Sequence, residues 1–156
     1  IASMLEAEKP NVKLLVNAAG FGHFKGFLDM DLERQLAMID LNDKALVSMT
    51  YLSLPYMKEG SCIYQLGSLS SFQPVPYINV YGASKAYVMS FTKGLREELK
   101  PAGINVLAVC PGPMNTEFLD VANITERSKM FKTLPYSDPD IVADRAVMWA
   151  SKGKSV

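Results

Sequence analysis

Histidine is nearly missing from this chain. His23 is the only one in 156 residues, which argues against a His-based catalytic triad or a multi-histidine metal centre, and no metal is expected. A charge excess is missing too, since Lys+Arg and Asp+Glu each number 16. Without a basic run or net charge, neither nucleic acid nor an anionic surface is an expected partner. Cysteine is limited to Cys62 and Cys110, both within apolar strand-like runs. They read as buried free thiols, not as a disulfide framework. No apolar run approaches the ~18 residues that a membrane-spanning helix needs. With no signal peptide visible, the expected location is cytoplasmic. The chain also lacks an initiating methionine, opening on Ile1, which reads as an excerpt or fragment of a longer chain.

What is present is an ordinary globular composition, 49% hydrophobic and 21% charged, long enough for one domain over residues 1–156. Strand-like and helix-like segments alternate. Residues 1–8 read as the end of a helix, broken by Lys9-Pro10-Asn11. Val12–Val16 is a short buried strand, and residues 17–30 are a loop rich in Gly and Phe. A helical pattern runs from about Asp31 to Lys58, with Asp29 or Asp31 as N-cap and Pro55 tightening its last turn. Ser61–Leu66 is a second strand, residues 80–100 a second helix, and Ile104–Cys110 a third strand. Residues 114–137 are less regular. Asp138-Pro139 has the N-cap and first-turn chemistry of a last helix, running to about Ser151. Lys154-Ser155-Val156 starts a further strand. Alternation of this kind predicts an α/β architecture with a parallel sheet and helices on its faces. Ligands of such sheets bind beyond the carboxyl ends of the strands. Here those ends are Asn17–Gly20, Gly67–Ser71 and Pro111–Thr116.

The most informative stretch is Tyr81-Gly82-Ala83-Ser84-Lys85. Residues at i and i+4 share a helix face, so the Tyr81 phenol and the Lys85 ammonium reach toward one pocket. Ser68, in the loop upstream, adds a hydroxyl. Together they make a proton-transfer site suited to carbonyl/alcohol chemistry. Ser70 and Ser71 are equally good hydroxyls by composition, and only spacing to Tyr81 singles out Ser68. Asn17-Ala18-Ala19-Gly20 would let a flat ligand approach the backbone, or is an ordinary tight turn. Gly20–Gly26 departs from G-x-G-x-x-G because its third glycine is one position late and no helix opens at once. A mobile apolar loop at the rim, with His23 facing solvent or a loop neighbour, fits better than a phosphate cradle. Asn42 interrupts an apolar helix face and reads as an exposed or self-bonded helical Asn, or as a functional one. Met30, Met38, Met49 and Met57 read as core filler.

Taken together these residues resemble the short-chain dehydrogenase/reductase superfamily, over Val12 to about Phe118 in order and spacing. The pattern N-x-A-G appears as Asn17-Ala18-Ala19-Gly20, the helical Asn as Asn42, the serine as Ser68, Y-x-x-x-K as Tyr81 and Lys85, and P-G-x-x-x-T as Pro111, Gly112 and Thr116. The resemblance implies a Rossmann-like doubly wound parallel sheet, of which only the catalytic half is present. It implies a carbonyl/alcohol oxidoreductase using NADP or NAD, with Tyr81 as general acid/base. Lys85 would lower the Tyr81 pKa and hold the nicotinamide ribose, and Ser68 would polarise the substrate oxygen. Asn42 would hold a relay water. Asn17, Ala18, Ala19 and Gly20 would line the adenosine side of the cofactor. The Pro111-Gly112-Pro113-Met114 backbone and Thr116 would fix the carboxamide. Gly67 departs from the serine often found before the catalytic one. The larger departure is the Gly-rich pyrophosphate loop, whose strand–helix units do not appear before Ile1. The expected consequences are an exposed apolar edge at Val12–Val16 and weak cofactor binding or aggregation of the chain alone. The substrate is expected to be mainly apolar, against Phe21, Phe24, Leu69, Phe72, Tyr77 and Phe118. Homo-oligomerisation is expected through helices 31–58 and 80–100. The rival reading is a non-catalytic remnant or assembly module.

Overall fold

The computed structural model describes residues 1–122 and 135–156. Of the less regular segment expected over 114–137, residues 123–134 lie outside the described residues. Three strands, β1 (Val12–Asn17), β2 (Met57–Leu66) and β3 (Asn105–Val109), form a parallel sheet in the order β1-β2-β3. The first helix, α1 (Ala2–Glu8), ends at Lys9, which takes a left-handed conformation (φ 45°) just before Pro10.

Between β1 and β2 the chain is helical but not uniformly so. It runs as α2 (Leu32–Ile39), a π-helical turn over Asp40–Ala45, α3 (Leu46–Ser53) and a 3₁₀ turn at Leu54–Tyr56. Asp31 occupies the N-cap position, but its side chain makes no capping bond. Pro55 sits in the 3₁₀ turn, as a residue that cannot donate would. Helix therefore ends at Tyr56, not Lys58, and β2 begins at Met57, four residues before the expected Ser61. The reason is an irregular register. Val12 pairs with Met57 and Leu14 already with Cys62, so residues 58–61 bulge out. Gly60 supplies the positive φ of 82°. Ser61 Oγ pins the bulge, donating to Val12 O (3.0 Å) and accepting from Lys58 N (3.1 Å).

From β2 the chain crosses through α4 (Asn79–Leu99) to β3, and α6 (Pro139–Ser151) follows the short α5 (Phe118–Val121). The period of two along β2 sends its residues to different layers. Ile63 joins Met57, Ile104 and Val106 under Leu95 and Leu99 of α4. On the opposite face Cys62, Tyr64 and Leu107 pack on Ala146 and Ala150 of α6. Helices thus cover both faces, the doubly wound arrangement. Met30, Met38 and Met57 are buried as core filler. Cys62 and Cys110 are free thiols, half-buried instead of sealed. Asp138 caps α6 as expected, accepting from Asp140 N (2.8 Å) and Ile141 N (3.3 Å). The expected further strand shows one ladder-like bond, Ala108 N to Ser155 O (2.9 Å). Arg96 holds that segment, donating to Gly153 O (2.6 Å) and Lys154 O (3.1 Å).

β1 pairs only with β2 among the described residues. Leu14 and Val16 are about half exposed on it (48% and 54%), which makes it the exposed apolar edge expected from the sequence.

Candidate active site

The carboxyl ends of β1, β2 and β3 converge on a cavity of about 400 Å³. α4 delivers the two groups that matter most. It is an unbroken helix, so Tyr81 and Lys85 lie one turn apart on the same face. Lys85 is 5% exposed. Its ammonium has three protons to donate, and Leu66 O takes one at 2.7 Å. No other protein acceptor meets it among the described residues, and Lys85 borders the cavity. Lys85 Nζ stands 5.8 Å from the Tyr81 ring centroid. Burial pushes the Lys85 ammonium down to about 8, against the raising influence of Asp43 and Cys110. Tyr81 differs from the expectation of a lowered phenol. Burial raises it above its usual value, and the Ser68 hydroxyl facing it offsets only part of that rise. Nothing in the protein supplies enough positive charge at the phenol to reverse desolvation.

Ser68 is placed by its own turn. Its Oγ accepts from Ser70 N (3.2 Å), while Ser71 Oγ accepts from Ser68 N (3.1 Å), a reciprocal capping box around Leu69–Ser71. Ser71 Oγ also donates to Lys85 O (2.8 Å), tying this turn to α4. The three hydroxyls are thereby told apart: Ser71 is buried structural glue, and Ser68 and Ser70 border the cavity.

Asn42 is neither exposed nor self-bonded. It is 1% exposed in the middle of the π-helical turn. Its Oδ1 accepts from Phe21 N (3.0 Å), and its Nδ2 donates to Phe21 O (3.0 Å) and Ser84 Oγ (3.0 Å). It fastens the loop after β1 to α4. Asn17 is similarly committed, with Nδ2 donating to Thr50 Oγ1 (3.0 Å) and Gln65 Oε1 (2.9 Å). Gln65 Nε2 closes the triangle on Thr50 Oγ1 (3.0 Å). Of the cofactor residues expected from the resemblance, Ala18, Gly20, Pro111, Gly112, Pro113, Met114 and Thr116 line the cavity. Asn17 and Ala19 do not. Asn17 is spent on holding strand ends together.

The loop Gly20–Gly26 is a wall, not a phosphate cradle, because no helix begins between β1 and Leu32. Beyond the Phe21–Asn42 pair it is tied by Phe24 N to Ala122 O (2.7 Å) and Lys25 N to Tyr77 O (2.8 Å). Four hydrogen bonds, at Phe21, Phe24 and Lys25, thus tie this loop to its neighbours. Gly22 is needed for close approach: a Cβ there would lie 2.9 Å from Phe118 Cζ and 3.0 Å from Tyr81 Cδ2. His23 lines the cavity and is half-buried. The aromatic lining expected is only partly right. Leu69 and Phe118 border the cavity. Phe21 lies under Arg34 (5.4 Å), Phe24 pairs with Tyr77 (5.8 Å), and Phe72 and Tyr77 are more than half exposed. Val75, Ile78, Leu119 and Ala122 take their place. Sequence reading missed them because ring size suggested burial, whereas backbone direction in the 72–78 loop turns the rings outward.

These residues fit the nicotinamide–ribose end of a dinucleotide. Lys85 keeps two ammonium protons free, and the backbone at Gly20 leaves open a space that a Cβ would fill, 2.8 Å from Asn42 Oδ1 and 3.5 Å from Lys85 Nζ. No Gly-rich turn leads into a helix N-terminus among the described residues to take a pyrophosphate. Those residues also hold no cluster of three metal-ligating side chains and no helix long and apolar enough to cross a membrane.

The family model described as short chain dehydrogenase matches residues 2–127. Sulfoacetaldehyde reductase 2 of Chromohalobacter salexigens is 44% identical over 111 residues, covering 69% of this chain and 44% of that protein. A short-chain dehydrogenase from Sphingobium yanoikuyae in complex with NADPH superposes with a TM-score of 0.83 at 29% identity, over 99% of this chain and 61% of that one. A 3-ketoacyl-(acyl-carrier-protein) reductase from Brucella melitensis complexed with NADH gives 0.80 at 27% identity, over 95% and 63%. The chain spans about half the length of the curated relatives it matches. With the Tyr81/Lys85 helix, the Ser68 turn and the three strand ends converging on one cavity, this chain belongs to the short-chain dehydrogenase family.

Proposed function

We propose that this chain is the catalytic half of an NAD(P)-dependent oxidoreductase that interconverts a carbonyl and an alcohol. The observation that carries the reading is Lys85: a buried ammonium on the same helix face as Tyr81, bonded to Leu66 O and bordering the cavity. When bound, the reduced nicotinamide supplies the hydride that the carbonyl carbon receives. Tyr81 gives its proton to the substrate oxygen in reduction and takes it back in oxidation. Ser68 donates a hydrogen bond to the same oxygen and stabilises the charge that develops there. Lys85 holds the ribose hydroxyls and lends positive charge to the Tyr81 phenolate. Asn42 acts in our reading as a positioning residue, with its side chain committed to Phe21 and Ser84, beside the relay-water role that the resemblance implies. The structural relatives carry NADPH or NADH, and both reduced forms are the cofactors to assay.

The cavity wall of Leu69, Val75, Ile78, Met114, Phe118 and Leu119 suits a mainly apolar ketone or secondary alcohol. A second substrate reading is a short anionic aldehyde, supported by the 44% identity to sulfoacetaldehyde reductase 2 and by His23 and Gln73 at the cavity. Exposed Leu32, Leu36 and Ile39 on α2 and Tyr87 on α4 support self-association through these helices, which light scattering measures directly.

The test is oxidation of NADPH or NADH by the folded chain, offered an aliphatic ketone in one arm and a sulfonated two-carbon aldehyde in the other. Tyr81→Phe should lower turnover at least ~10²-fold while leaving cofactor affinity within a few-fold. Wild-type turnover in that variant refutes the role of Tyr81. A folded chain that neither binds nor oxidises either cofactor favours the assembly-module reading.

A further inference from the structure

The turn after β2 carries three hydroxyls, and their protons are committed differently. Ser71 Oγ is buried and donates to Lys85 O (2.8 Å). Ser68 Oγ donates to Ser70 Oγ (3.4 Å) and accepts from Ser70 N (3.2 Å). A serine hydroxyl has one proton to give. Ser70 Oγ only accepts among the described residues, and Ser70 borders the cavity. The uncommitted hydroxyl proton of this turn is therefore that of Ser70. The contact between the two oxygens, at 3.4 Å, is long for hydroxyls, which usually bond at about 2.7–2.8 Å. It is a weak bond that a better acceptor displaces. It is also a spacing at which both hydroxyls can reach one oxygen at about 2.8 Å each. Ser70 lies against the helix that carries Tyr81. A Cβ on Gly82, the residue after Tyr81, would stand 3.8 Å from Ser70 O and 3.9 Å from Ser70 Cβ. The residues flanking Ser70 are fixed by backbone bonds, from Leu69 N to Pro111 O (3.1 Å) and from Ser71 N to Ser68 O (2.9 Å).

The geometry points to Ser70 as a second catalytic hydroxyl, donating to the same substrate oxygen as Ser68. This rests on the carbonyl/alcohol reading above. As the carbonyl carbon receives hydride, negative charge gathers on the oxygen, which becomes a stronger acceptor than Ser70 Oγ. Ser68 then turns its proton from Ser70 Oγ to that oxygen, and Ser70 adds its own. Neither serine loses its proton, because the proton that completes the alcohol comes from Tyr81. Ser68 Oγ keeps the bond from Ser70 N throughout, so its orientation survives the exchange. Ser70 thus acts twice: its backbone N–H aims Ser68, and its hydroxyl shares the developing charge.

The experiment has two arms, both on the full chain. In the first, the chain labelled with ¹³C-serine is titrated with the aliphatic ketone and, separately, with the sulfonated two-carbon aldehyde. The Cβ signals of Ser68 and Ser70 should both move with at least one probe, the Ser70 signal being the one lost in Ser70→Ala. A Ser70 signal that moves with neither probe overturns the proposal. In the second arm, turnover is compared in the parent, Ser70→Ala and Ser70→Thr. Ser70→Ala should lower kcat about tenfold or more and leave KM within about threefold, because the bond strengthens as charge develops. Ser70→Thr keeps the hydroxyl and should stay within about threefold of the parent. An unchanged kcat in Ser70→Ala overturns the proposal while leaving the oxidoreductase reading intact, and so does a Thr variant as slow as the Ala variant. Ser70→Ala should fold, since the bond from the backbone N–H to Ser68 Oγ remains. Failure of both Ser70→Ala and Ser70→Gly to fold would make Ser70 a structural residue and overturn the proposal as well. A parent whose Ser70 signal moves but which turns over neither probe sinks the oxidoreductase reading and leaves the carbonyl contact of Ser70 standing.

Discussion

The loop after β1 and the loop after β2 leave neighbouring parallel strands at the same end of the sheet and border the same cavity, but they are held by different means. The second loop is short and holds itself. Ser68 and Ser71 exchange capping bonds across one turn, and Ser71 reaches on to Lys85 O. The first loop is longer and has no such device. Its conformation is imposed by Asn42, twenty-one positions away, and by backbone bonds to Ala122 and Tyr77. Local capping is cheap in chain entropy because its partners are already neighbours. A loop held from a distance forms only when the helices carrying its partners are docked, so it is the more sensitive of the two to single changes elsewhere.

The largest expected effect follows from cutting that distant hold. Asn42→Leu keeps the branching and the number of side-chain heavy atoms but leaves Phe21 N–H and Phe21 C=O unpaired and takes a partner from Ser84. At about 1–3 kcal/mol for each buried group left unsatisfied, the loss should be about 3 kcal/mol in urea unfolding of the full chain. A loss below about 1 kcal/mol would mean that the first loop holds itself after all, and the contrast between the two loops would collapse.

A smaller effect is expected in the second loop, where the departure from the family pattern has a physical reason. Gly67 lies against Cys110, and a Cβ at that position would come 2.6 Å from Cys110 Sγ and 3.2 Å from Ser71 Oγ. The thiol occupies the space a serine side chain would use. Gly67→Ser should therefore destabilise by about 1–2 kcal/mol through overpacking, and Cys110→Ala should recover most of that loss when combined with it. The coupling in this double-mutant cycle is the measurement. Additive losses would show that the two residues do not compete for the same space.

Ser71→Ala should cost less still, about 1 kcal/mol. It removes one acceptor for Ser68 N and one donor to Lys85 O, and the short turn keeps its backbone bonds from Ser71 N to Ser68 O and from Phe72 N to Leu69 O. If Ser71→Ala proved as damaging as Asn42→Leu, the self-held loop would depend on its tertiary tie to α4 as heavily as the first loop does.

The same contrast separates what could be read from the sequence from what could not. Tyr81, Lys85 and the Asp138 cap were legible because they depend on spacing along one helix or across one turn. The alternation of strands with helices exposed the doubly wound sheet for the same local reason. The early start of β2 at Met57 was hidden because it depends on a register shift against β1. The π-helical turn was hidden because nothing in Asp40–Ala45 distinguishes a π turn from an α turn, and the bonds from Asn42 to a distant loop and to Ser84 appear only in the fold. The outward-turned Phe72 and Tyr77 were hidden as well. Tyr77 adopts φ 69°, a conformation that non-glycine residues seldom adopt and that no side-chain pattern announces.

The two loops also differ in the ionisable group behind each, and this gives the smallest and most diagnostic prediction. Asp43 stands next to the residue that holds the first loop, and Lys85 donates to Leu66 O at the root of the second. Burial raises Asp43 from 3.8 to about 6, so between those values the folded state holds more protons than the unfolded one. Its contribution to stability is present below pH 3.8 and is lost as pH rises through about 6. Burial lowers Lys85 from 10.5 to about 8, so between those values the unfolded state holds more protons. Its contribution is present above pH 10.5 and is lost as pH falls through about 8. Both groups are therefore least favourable between about pH 6 and pH 8, where both are charged. Urea midpoints of the chain should dip across that window. The rise on the alkaline side should be the steeper, because Lys85 is buried while Asp43 is only half-buried and partly screened by solvent. Asp43→Asn should flatten the acid side, and Lys85→Met the alkaline side. A profile with its maximum inside the window would mean that mutual attraction of the pair outweighs desolvation, and the second loop would then be braced by the first and no longer independent of it.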